Sequence, residues 1–265
     1  MSILKVWTIA NQKGGVGKTT SVATLGGLLA ESGARVLMVD CDPHSSLTSY
    51  YGYDPDALAA NLFDIFEADV KQASDLPEHV ILPTQHEGLH LIGSSIALAT
   101  LDRKFSQKPG MGLVLKHLRD ALQDQFDYML FDCPPVLGVL LVNALAAGEQ
   151  LVVPVQTEFL ALKGLERMMQ TINMVTKAQR HSIEYLIVPT MFDRRTKASI
   201  ATLRNMRDEF GMHLWEKVIP VDTKFRDASK QHQSANFLYP DARGVYAYRK
   251  LMSTLQAREH QEKVA

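Results

Sequence analysis

Residues 11–20 read NQKGGVGKTT and lie between a β-rich run, Val6 to Ala10, and a longer amphipathic run, Thr19 to Ser32. The glycines of this stretch let the backbone turn tightly and bring its N–H groups close to an anion. The helix that follows points the positive end of its dipole at the same place. A strand, a glycine-rich turn and a helix in this order predict a phosphate-binding loop.

Two side chains of this stretch have the chemistry that a bound nucleoside triphosphate requires. Lys18 can reach the β- and γ-phosphates, and the Thr19 hydroxyl is placed to hold Mg²⁺. The strict pattern G-x-x-x-x-G-K-[ST] requires glycine at the position of Gln12, so the plain motif is missed at one position. A second lysine in the same turn, Lys13, is costly without a polyanion to neutralise it. The predicted nucleotide contacts are Gly14, Gly15, Val16, Gly17, Lys18, Thr19 and Thr20.

Short β-rich runs continue to alternate with longer amphipathic runs along the chain. Parallel strands need crossover helices, so this alternation predicts one doubly wound, mostly parallel α/β sheet with helices on both faces. No linker or repeat splits the sequence, and we expect residues 1–265 to form a single P-loop domain. The stretch 69–88 is expected to be a loop with at most a short strand. Further expected elements are strands at 35–40, 128–132, 150–155, 184–190 and 217–219, and helices at 112–125 and 244–255.

Composition and charge exclude several classes of function. Hydrophobic residues at 46% and charged residues at 22% are ordinary globular values, which excludes disordered and collagen-like chains. The formal net charge of −1 argues against a histone-like coat on DNA, although residues 190–265 hold 14 Lys and Arg against 9 Asp and Glu, a net +5. With two cysteines, no secretory leader and no apolar run long enough to span a bilayer, we expect a cytoplasmic protein.

Three aspartates stand at the ends of apolar strands. Residues 36–43 read VLMVDCDP and place Asp40 and Asp42 at the end of one strand, and residues 126–135 read FDYMLFDCPP and place Asp132 at the end of another. A buried carboxylate is costly unless it is paired, so a cation or an ordered water is expected beside these groups. A helix-cap or turn role for Asp42 stays open.

The stretch KGGVGKTT, residues 13–20, resembles the deviant Walker A box of the ParA/MinD family of ATPases, in which the extra lysine corresponds to Lys13. Gln12 is similar to the ParA branch of that family. In the family this lysine crosses a dimer interface and touches the partner's nucleotide. The resemblance therefore implies ATP and Mg²⁺ as cofactors, ATP hydrolysis, and a homodimer in the ATP state with two sandwiched nucleotides.

The same resemblance implies a role for each acidic residue. The aspartate that matches Asp42 positions or activates the attacking water, and the one that matches Asp40 supports the metal shell. Asp132 matches the Walker B carboxylate, which binds Mg²⁺ through water. The resemblance thus places Lys13, Lys18 and Asp42 in catalysis, and Thr19, Asp40 and Asp132 at the metal.

Two later segments resemble family segments that border the nucleotide. Residues 154–168 contain the polar candidates Gln156 and Glu158, for which ordinary strand-to-helix loop chemistry is the alternative. Residues 189–199, PTMFDRRTKAS, resemble the segment near the adenine, and Asp193 is the candidate contact there. Adenine is favoured because the sequence contains no [NT]-K-x-D guanine signature.

The basic residues and the cysteines each leave two interpretations open. The basic residues of the C-terminal third fit either a surface that binds DNA nonspecifically, as ParA proteins do, or a solvated helix face salted with acids. Val221 and Asp222 depart from the family's usual basic pattern, so any DNA binding is expected to be weak. Cys41 and Cys133 are either small buried residues or, as in the iron-protein relatives, ligands of an iron–sulfur cluster, although their positions do not match that pattern. The basic candidates are Arg194, Arg195, Lys197, Arg204, Arg207, Lys224, Arg226 and Lys230.

Details over nearly the whole chain resemble the ParC-type members of the family that are encoded with chemotaxis clusters. They include DPHSSLTSYYGYDPDAL at 42–58 and IPVDTKFRDAS at 219–229. Those proteins recruit and segregate polar chemosensory arrays, so the resemblance implies an ATPase switch at the cell pole, with a polar anchor protein and chemotaxis array proteins as partners and no membrane contact. Two other classes stay open: a plasmid or chromosome partitioning ATPase, and a metabolic or iron–sulfur enzyme of the same superfamily.

Overall fold

The protein is described by a computed structural model over residues 4–68, 71–72, 75–105, 111–159, 161–179 and 183–262. The strands of these residues form one seven-stranded sheet. They are β1 (Lys5–Ile9), β2 (Val36–Asp40), β3 (Ile81–Pro83), β4 (Leu89–Ile92), β5 (Tyr128–Asp132), β6 (Gln150–Gln156) and β7 (Glu184–Thr190). Their order across the sheet is β3-β4-β2-β5-β1-β6-β7, and every neighbouring pair is parallel except β3 with β4.

Helices join these strands. The described α-helices are α1 (Lys18–Glu31), α2 (Ser46–Tyr50), α3 (Leu62–Ala68), α4 (Leu101–Phe105), α5 (Val114–Leu122), α6 (Val139–Ala147), α7 (Ala161–Gln179), α8 (Lys197–Phe210), α9 (Lys224–Lys230), α10 (Ala235–Leu238) and α11 (Arg243–Glu262). The doubly wound, mostly parallel α/β sheet that the sequence predicts is confirmed.

Strands with two buried faces explain why helices lie on both sides of the sheet. All five residues of β2 are buried. Successive side chains of a strand point to opposite faces, and β1 shows this directly. Val6 belongs to an apolar cluster that includes residues of α5, α6 and α7, whereas Trp7 belongs to a second cluster that includes residues of α1 and α11. Each face of the sheet therefore has its own helical layer.

The strand order determines where a ligand can bind. β2, β3, β4 and β5 all lie on one side of β1, and β6 and β7 lie on the other side. In such sheets ligands bind outside the carboxyl ends of the strands, where the order reverses. The glycine-rich loop follows β1, and Asp40, Asp132 and Gln156 are the last residues of β2, β5 and β6. These predicted site segments therefore meet at one edge of the sheet.

The prediction of a strand at 217–219 is wrong. This segment follows the outer edge of β7, where the isolated bridges Ile187–Leu214 and Phe192–Pro220 lie on either side of it and the Ile219 N–H donates to the Pro189 carbonyl over 2.8 Å. Because Pro189 of β7 has no backbone N–H, the outer edge of β7 lacks the donor that would join these bonds into a continuous ladder.

The other expected elements are present with small shifts of their ends. The helix expected at 112–125 is α5, and the one expected at 244–255 is α11. The stretch 69–88 contains β3 as its short strand, while residues 69–70 and 73–74 lie outside the described residues. Within the described ranges, every helix is too short or too polar to cross a membrane.

Gly27 of α1 lies against the segment at α10, and this close packing generates a stability prediction. A Cβ on Gly27 would overlap Asn236 Oδ1 and would lie 2.6 Å from Ser234 Cβ, and both of those side chains are buried. We therefore expect Gly27→Ala to lower the free energy of unfolding by roughly 1–3 kcal/mol, although Ala is the better helix former.

Gly164 of α7 is the matched control for this substitution. The nearest atom to a Cβ on Gly164 is Lys13 Cβ at 3.9 Å. Gly164→Ala should therefore leave stability unchanged or raise it by up to about 1 kcal/mol. Urea unfolding of the two variants beside the wild type makes the comparison, and equal stability of Gly27→Ala and wild type would contradict the packing argument.

Candidate nucleotide-binding site

The loop between β1 and α1 has the backbone shape of a phosphate cradle. Gly15 and Gly17 have φ of 74° and 94°, a left-handed region in which other residues are strained. α1 begins at Lys18, directly after Gly17, so the free N–H groups and the positive dipole end of the helix face the loop. The cradle therefore presents backbone donors to an anion.

Two side chains tie this loop to the strands β6 and β7. Asn11 Nδ2 donates to the Pro154 carbonyl over 2.7 Å, and Asn11 Oδ1 accepts from the Lys13 N–H at 3.0 Å, which ties the start of the loop to β6. The buried Thr190 hydroxyl, at the end of β7, donates to the Val16 carbonyl over 2.8 Å. A carbonyl that accepts this bond points away from the anion site, so the loop N–H groups are left to face it.

A third contact comes from the C-terminal helix α11. The Ser21 hydroxyl donates to the Gly17 carbonyl over 2.8 Å and shares a second 2.8 Å hydrogen bond with the Tyr248 hydroxyl. Burial raises the pKa of Tyr248 well above its ordinary value, so the hydroxyl stays protonated and donates. The sequence analysis did not find this support, because helical spacing identifies Tyr248 only as a core position.

Asp132 has a buried carboxylate oxygen without a partner. Thr19 Oγ1 donates to Asp132 Oδ2 over 2.6 Å, whereas Oδ1 has no hydrogen-bond partner among the described residues. Burial raises the pKa of Asp132 well above its usual range, and Asp40, in register on β2, raises it further. A free carboxylate oxygen beside a hydroxyl is the kind of oxygen set that Mg²⁺ prefers. The residues present therefore fit a magnesium ion.

Asp40 is fully buried, and both of its oxygens accept hydrogen bonds from the protein. Oδ2 accepts from the backbone N–H and the hydroxyl of Thr48 at 2.8 and 2.7 Å, and Oδ1 accepts from the Asp42 N–H at 3.1 Å. Burial nevertheless raises the pKa of Asp40 to about 6. Both oxygens of Asp40 are thus engaged by the protein, and the role of Asp40 at the metal stays a prediction.

Asp42 forms a turn with His44. Asp42 Oδ1 accepts from the His44 backbone N–H at 3.0 Å and lies 2.8 Å from His44 Nδ1. The turn role that the sequence left open is therefore present. Asp42 also stands two residues beyond Asp40 at the same edge of the sheet as the glycine loop, and its role with the attacking water stays a prediction.

The two lysines of the loop have different partners. Lys18 is buried, and its Nζ donates to the Lys13 carbonyl across the loop at 3.3 Å. The Lys13 ammonium forms a salt bridge with Glu158, which follows β6. Lys18 is thus held over the cradle, whereas Glu158 holds Lys13 to one side. The sequence analysis predicts Glu158 as a residue near the nucleotide but does not predict this salt bridge.

A cavity of 310 Å³ opens beside the loop and brings Thr20 together with Gln156. Its walls combine apolar side chains with a few polar groups, which is typical of a pocket for a small molecule. They include Gly17, Thr20, Gln156, Thr190, Met191, Pro220, Asp222, Phe225 and Tyr248.

Asp193 does not line this cavity, and its role as a contact of the base stays a prediction. Its carboxylate pairs with the Arg195 guanidinium at 2.8 and 2.9 Å and accepts from the Arg195 backbone N–H at 2.9 Å. These bonds lower the pKa of Asp193 to about 2. Asp193 stabilises the turn before α8, and Met191, two residues earlier, lines the cavity instead.

Cys41 and Cys133 are free and buried. Burial raises the pKa of both thiols well above the ordinary value, which disfavours the thiolate that a metal needs. In the described ranges, no group of three or more His, Cys, Asp or Glu side chains is arranged to hold a metal. The burial of both side chains and the raised thiol pKa values support the interpretation of the cysteines as small buried residues.

The cradle after β1 and the carboxylate at the end of β5 face each other across Thr19, which is the arrangement of a P-loop nucleoside triphosphatase. The AAA_31 family of AAA domains matches residues 4–185. The chain is 34% identical over 257 residues to the sporulation initiation inhibitor protein Soj of Bacillus subtilis, with 96% of this chain and 98% of that one covered. It is also 34% identical over 261 residues to the chromosome partitioning protein ParA of Caulobacter vibrioides, with 97% and 95% covered. The chain belongs to this ParA/Soj family of ATPases.

Solved structures give the same fold. Cobyrinic acid a,c-diamide synthase from Mycobacterium smegmatis, with a bound ATP analogue and magnesium, superposes with a TM-score of 0.81 at 32% sequence identity. The match covers 96% of this chain and 95% of that one. The similarity therefore extends well beyond the glycine loop.

Asp132→Asn should stabilise the nucleotide-free protein in a pH-dependent way. The folded state raises the pKa of Asp132 above its unfolded value of about 4, so the charged form costs stability that is absent at low pH and grows as the pH rises through the folded pKa. Asparagine removes the charge and can still accept from Thr19. We expect the variant to exceed the wild type by about 1 kcal/mol or more at about pH 8, and by less at about pH 5.

Urea unfolding at the two pH values measures this difference. Asp56→Asn, at an exposed position, is the control and should show no such trend. A variant less stable than wild type at the higher pH, or a difference that does not change with pH, would count against an unpaired buried carboxylate at Asp132.

Proposed function

We propose that this chain, with residues 1–265 as one domain, binds ATP with Mg²⁺ and hydrolyses it to ADP and phosphate. The observation that carries the proposal is the unpaired, buried Oδ1 of Asp132 beside the Thr19 hydroxyl and the glycine loop. A buried carboxylate oxygen without a partner is costly unless a cation joins it. The ATP analogue and magnesium bound to the M. smegmatis protein support the same choice of ligands.

The residues of the site have different roles in binding and hydrolysis. The loop N–H groups and Lys18 bind and orient the phosphate oxygens, and Thr19 and Asp132 hold the oxygen shell of the metal. Bound Mg²⁺ neutralises charge on the β- and γ-phosphates. Asp42 orients a water for in-line attack on the γ-phosphorus and accepts its proton. Catalysis by such a set consists mainly of positioning and charge neutralisation.

We also propose that ATP converts the protein into a homodimer. Two observations on the Lys13 side of the site support this. The Lys13–Glu158 salt bridge joins two partly exposed side chains, so it can open at small cost. Phe159, the next residue, is 87% exposed, and Val136, in the segment after β5, is 64% exposed. Exposed apolar groups of this kind fit a surface that a second copy of the chain covers. In the dimer, Lys13 would leave Glu158 and contact the nucleotide bound to the partner.

For the cellular role we propose that the ATP dimer recruits a polar anchor and chemotaxis array proteins at the cell pole. The resemblance of residues 42–58 and 219–229 to ParC-type proteins supports this. Partitioning of a plasmid or chromosome is the second candidate, and the names of the Soj and ParA relatives favour it. Tight, salt-sensitive binding of random DNA by the ATP state would select partitioning, and weak binding at physiological salt would select array positioning.

Asp42→Ala should spare ATP binding and stop hydrolysis. Lys18, Thr19 and Asp132 still hold the nucleotide and metal, while the group that orders the water is gone. Groups of this kind contribute about 10²- to 10⁴-fold to turnover. The turn with His44 makes a second contribution, so Asp42→Ala should also lose about 1 kcal/mol of stability.

Asp42→Asn separates the two roles of Asp42. It keeps an acceptor oxygen for the His44 N–H but removes the charge, so its melting temperature should match the wild type while turnover stays lost. Melting temperature, ATP affinity and turnover are measured on one preparation of each variant. Near-normal turnover in Asp42→Asn would remove Asp42 from the catalytic residues.

Lys13 and Glu158 should affect dimerisation in opposite directions. Lys13→Ala should weaken ATP-dependent dimerisation far more than ATP uptake. Glu158→Gln frees Lys13 from its salt bridge and should lower the ATP concentration for half-maximal dimerisation by roughly two- to fivefold, the range of a partly exposed ion pair.

Sedimentation velocity with ADP and with ATP plus Mg²⁺ gives the mass of each state. Glu184→Gln, at the other end of the sheet, is the control and should behave as wild type. The same mass in both nucleotide states would overturn the proposed dimer.

A further inference from the structure

A second cavity, of 710 Å³, lies between α8 and α11 and shares no lining residue with the cavity beside the glycine loop. We call it the α8–α11 groove. Its floor is apolar and includes Phe192, Leu203 and Val218. Four basic residues stand around it, Arg204, Arg207, Lys217 and Lys250.

Two large apolar side chains of this groove are exposed to solvent. Ile200 is 47% exposed and Tyr246 is 61% exposed, one on each of the two helices. Single exposed apolar residues are ordinary, but here they join a continuous apolar floor in a concave surface. Tyrosine and arginine around an apolar centre are the residue types that dominate binding at protein interfaces. The groove therefore has the composition of a docking surface.

The charge of the groove is positive and largely uncompensated. Its lining contains four basic residues and two acidic ones, Asp208 and Glu216, a formal excess of two positive charges. In the described part of the chain, none of the four cations forms a salt bridge with a carboxylate.

Two of these cations are already oriented by uncharged neighbours. Arg207 Nη2 donates to the Glu216 carbonyl at 3.2 Å, and Lys250 Nζ lies 5.3 Å from the centre of the Tyr246 ring. Neither contact neutralises the charge, so the groove attracts an anionic ligand and presents ordered groups to it.

We propose that the α8–α11 groove binds an acidic amphipathic helix of a partner protein. A helix laid between two helices places its apolar face on the floor of the groove, and its carboxylates then meet the basic rim. A DNA duplex matches only the rim, because its phosphates and sugars offer nothing to the apolar floor or to Ile200 and Tyr246. The inference rests on this groove alone and does not depend on ATP hydrolysis.

The probe for this surface is a fluorescein-labelled synthetic peptide of about a dozen residues, with Leu and Phe at i, i+3, i+4 and i+7 and Glu elsewhere. A second peptide keeps every Glu and replaces Leu and Phe by Ser, and a third probe is a random DNA duplex of about 24 base pairs. Fluorescence anisotropy with the full-length protein measures the affinity for each. We expect the first peptide to bind and the Ser-substituted peptide to bind at least about tenfold more weakly.

Two groove variants and a control locate the binding. Arg204→Glu with Lys250→Glu should lower the affinity for the first peptide by about tenfold or more. Tyr246→Ser should also lower this affinity, although it leaves the charges of the groove unchanged. Lys116→Glu with Lys177→Glu, at two exposed lysines on α5 and α7, changes the net charge by the same amount and is the control that should bind as wild type. Unchanged melting temperature and ATP affinity show that the variants are folded.

The outcomes decide the proposal. Loss of the amphipathic peptide in the groove variants alone supports it. Absence of binding to the wild type, equal binding of the Ser-substituted peptide, or equal binding to the groove variants overturns it. Binding of the DNA duplex that is lost in the groove variants, without binding of the peptide, would make the groove a nucleic-acid surface and would also overturn it.

Discussion

The site depends on two buried carboxylates that lie side by side at the carboxyl ends of neighbouring strands. The parallel register of β2 and β5 sets Asp40 against Asp132, and both are nearly inaccessible to solvent. Burial raises the pKa of each, and the charge of Asp40 raises the pKa of Asp132 further. Asp40 accepts two hydrogen bonds from Thr48 and one from the Asp42 backbone, whereas the side chain of Asp132 accepts, among the described residues, only from the Thr19 hydroxyl. When both carboxylates are ionised, Oδ1 of Asp132 therefore needs a cation to balance its charge.

The glycine loop opposite this pair is held by contacts from well-separated parts of the chain, and these contacts could not be predicted from the sequence. Thr190 reaches Val16 across 174 residues, and Tyr248 reaches Ser21 across 227. Their effect is pre-organisation, because N–H groups that already face the anion need no rearrangement when it binds. The loop can be predicted from its own glycines and the helix that follows. The residues that hold it in place can be identified only once the order of the strands and helices is known.

The same distinction between local and tertiary information explains where the sequence analysis was correct and where it failed. The strand ends at Asp40 and Asp132 follow from apolar runs of a few residues, and the structure places them in register beside the loop. The apolar run at 217–219 has the right composition for a strand, but it lies at the edge of β7, where Pro189 has no N–H to donate, and no ladder forms. The bidentate pairing of Asp193 with Arg195 is another tertiary detail that the sequence did not reveal, and the predicted base contact of Asp193 stays a prediction.

Calorimetric titration of ATP with Mg²⁺ into the Lys18→Ala variant tests the central claim most directly. Lys18 is the buried cation of the cradle, and no other side chain of the loop replaces a charge aimed at the β- and γ-phosphates. We predict that Lys18→Ala loses measurable ATP binding while Lys13→Ala, the matched lysine in the same loop, retains it. Unchanged affinity for ATP in Lys18→Ala would contradict the assignment of residues 11–20 as the phosphate cradle.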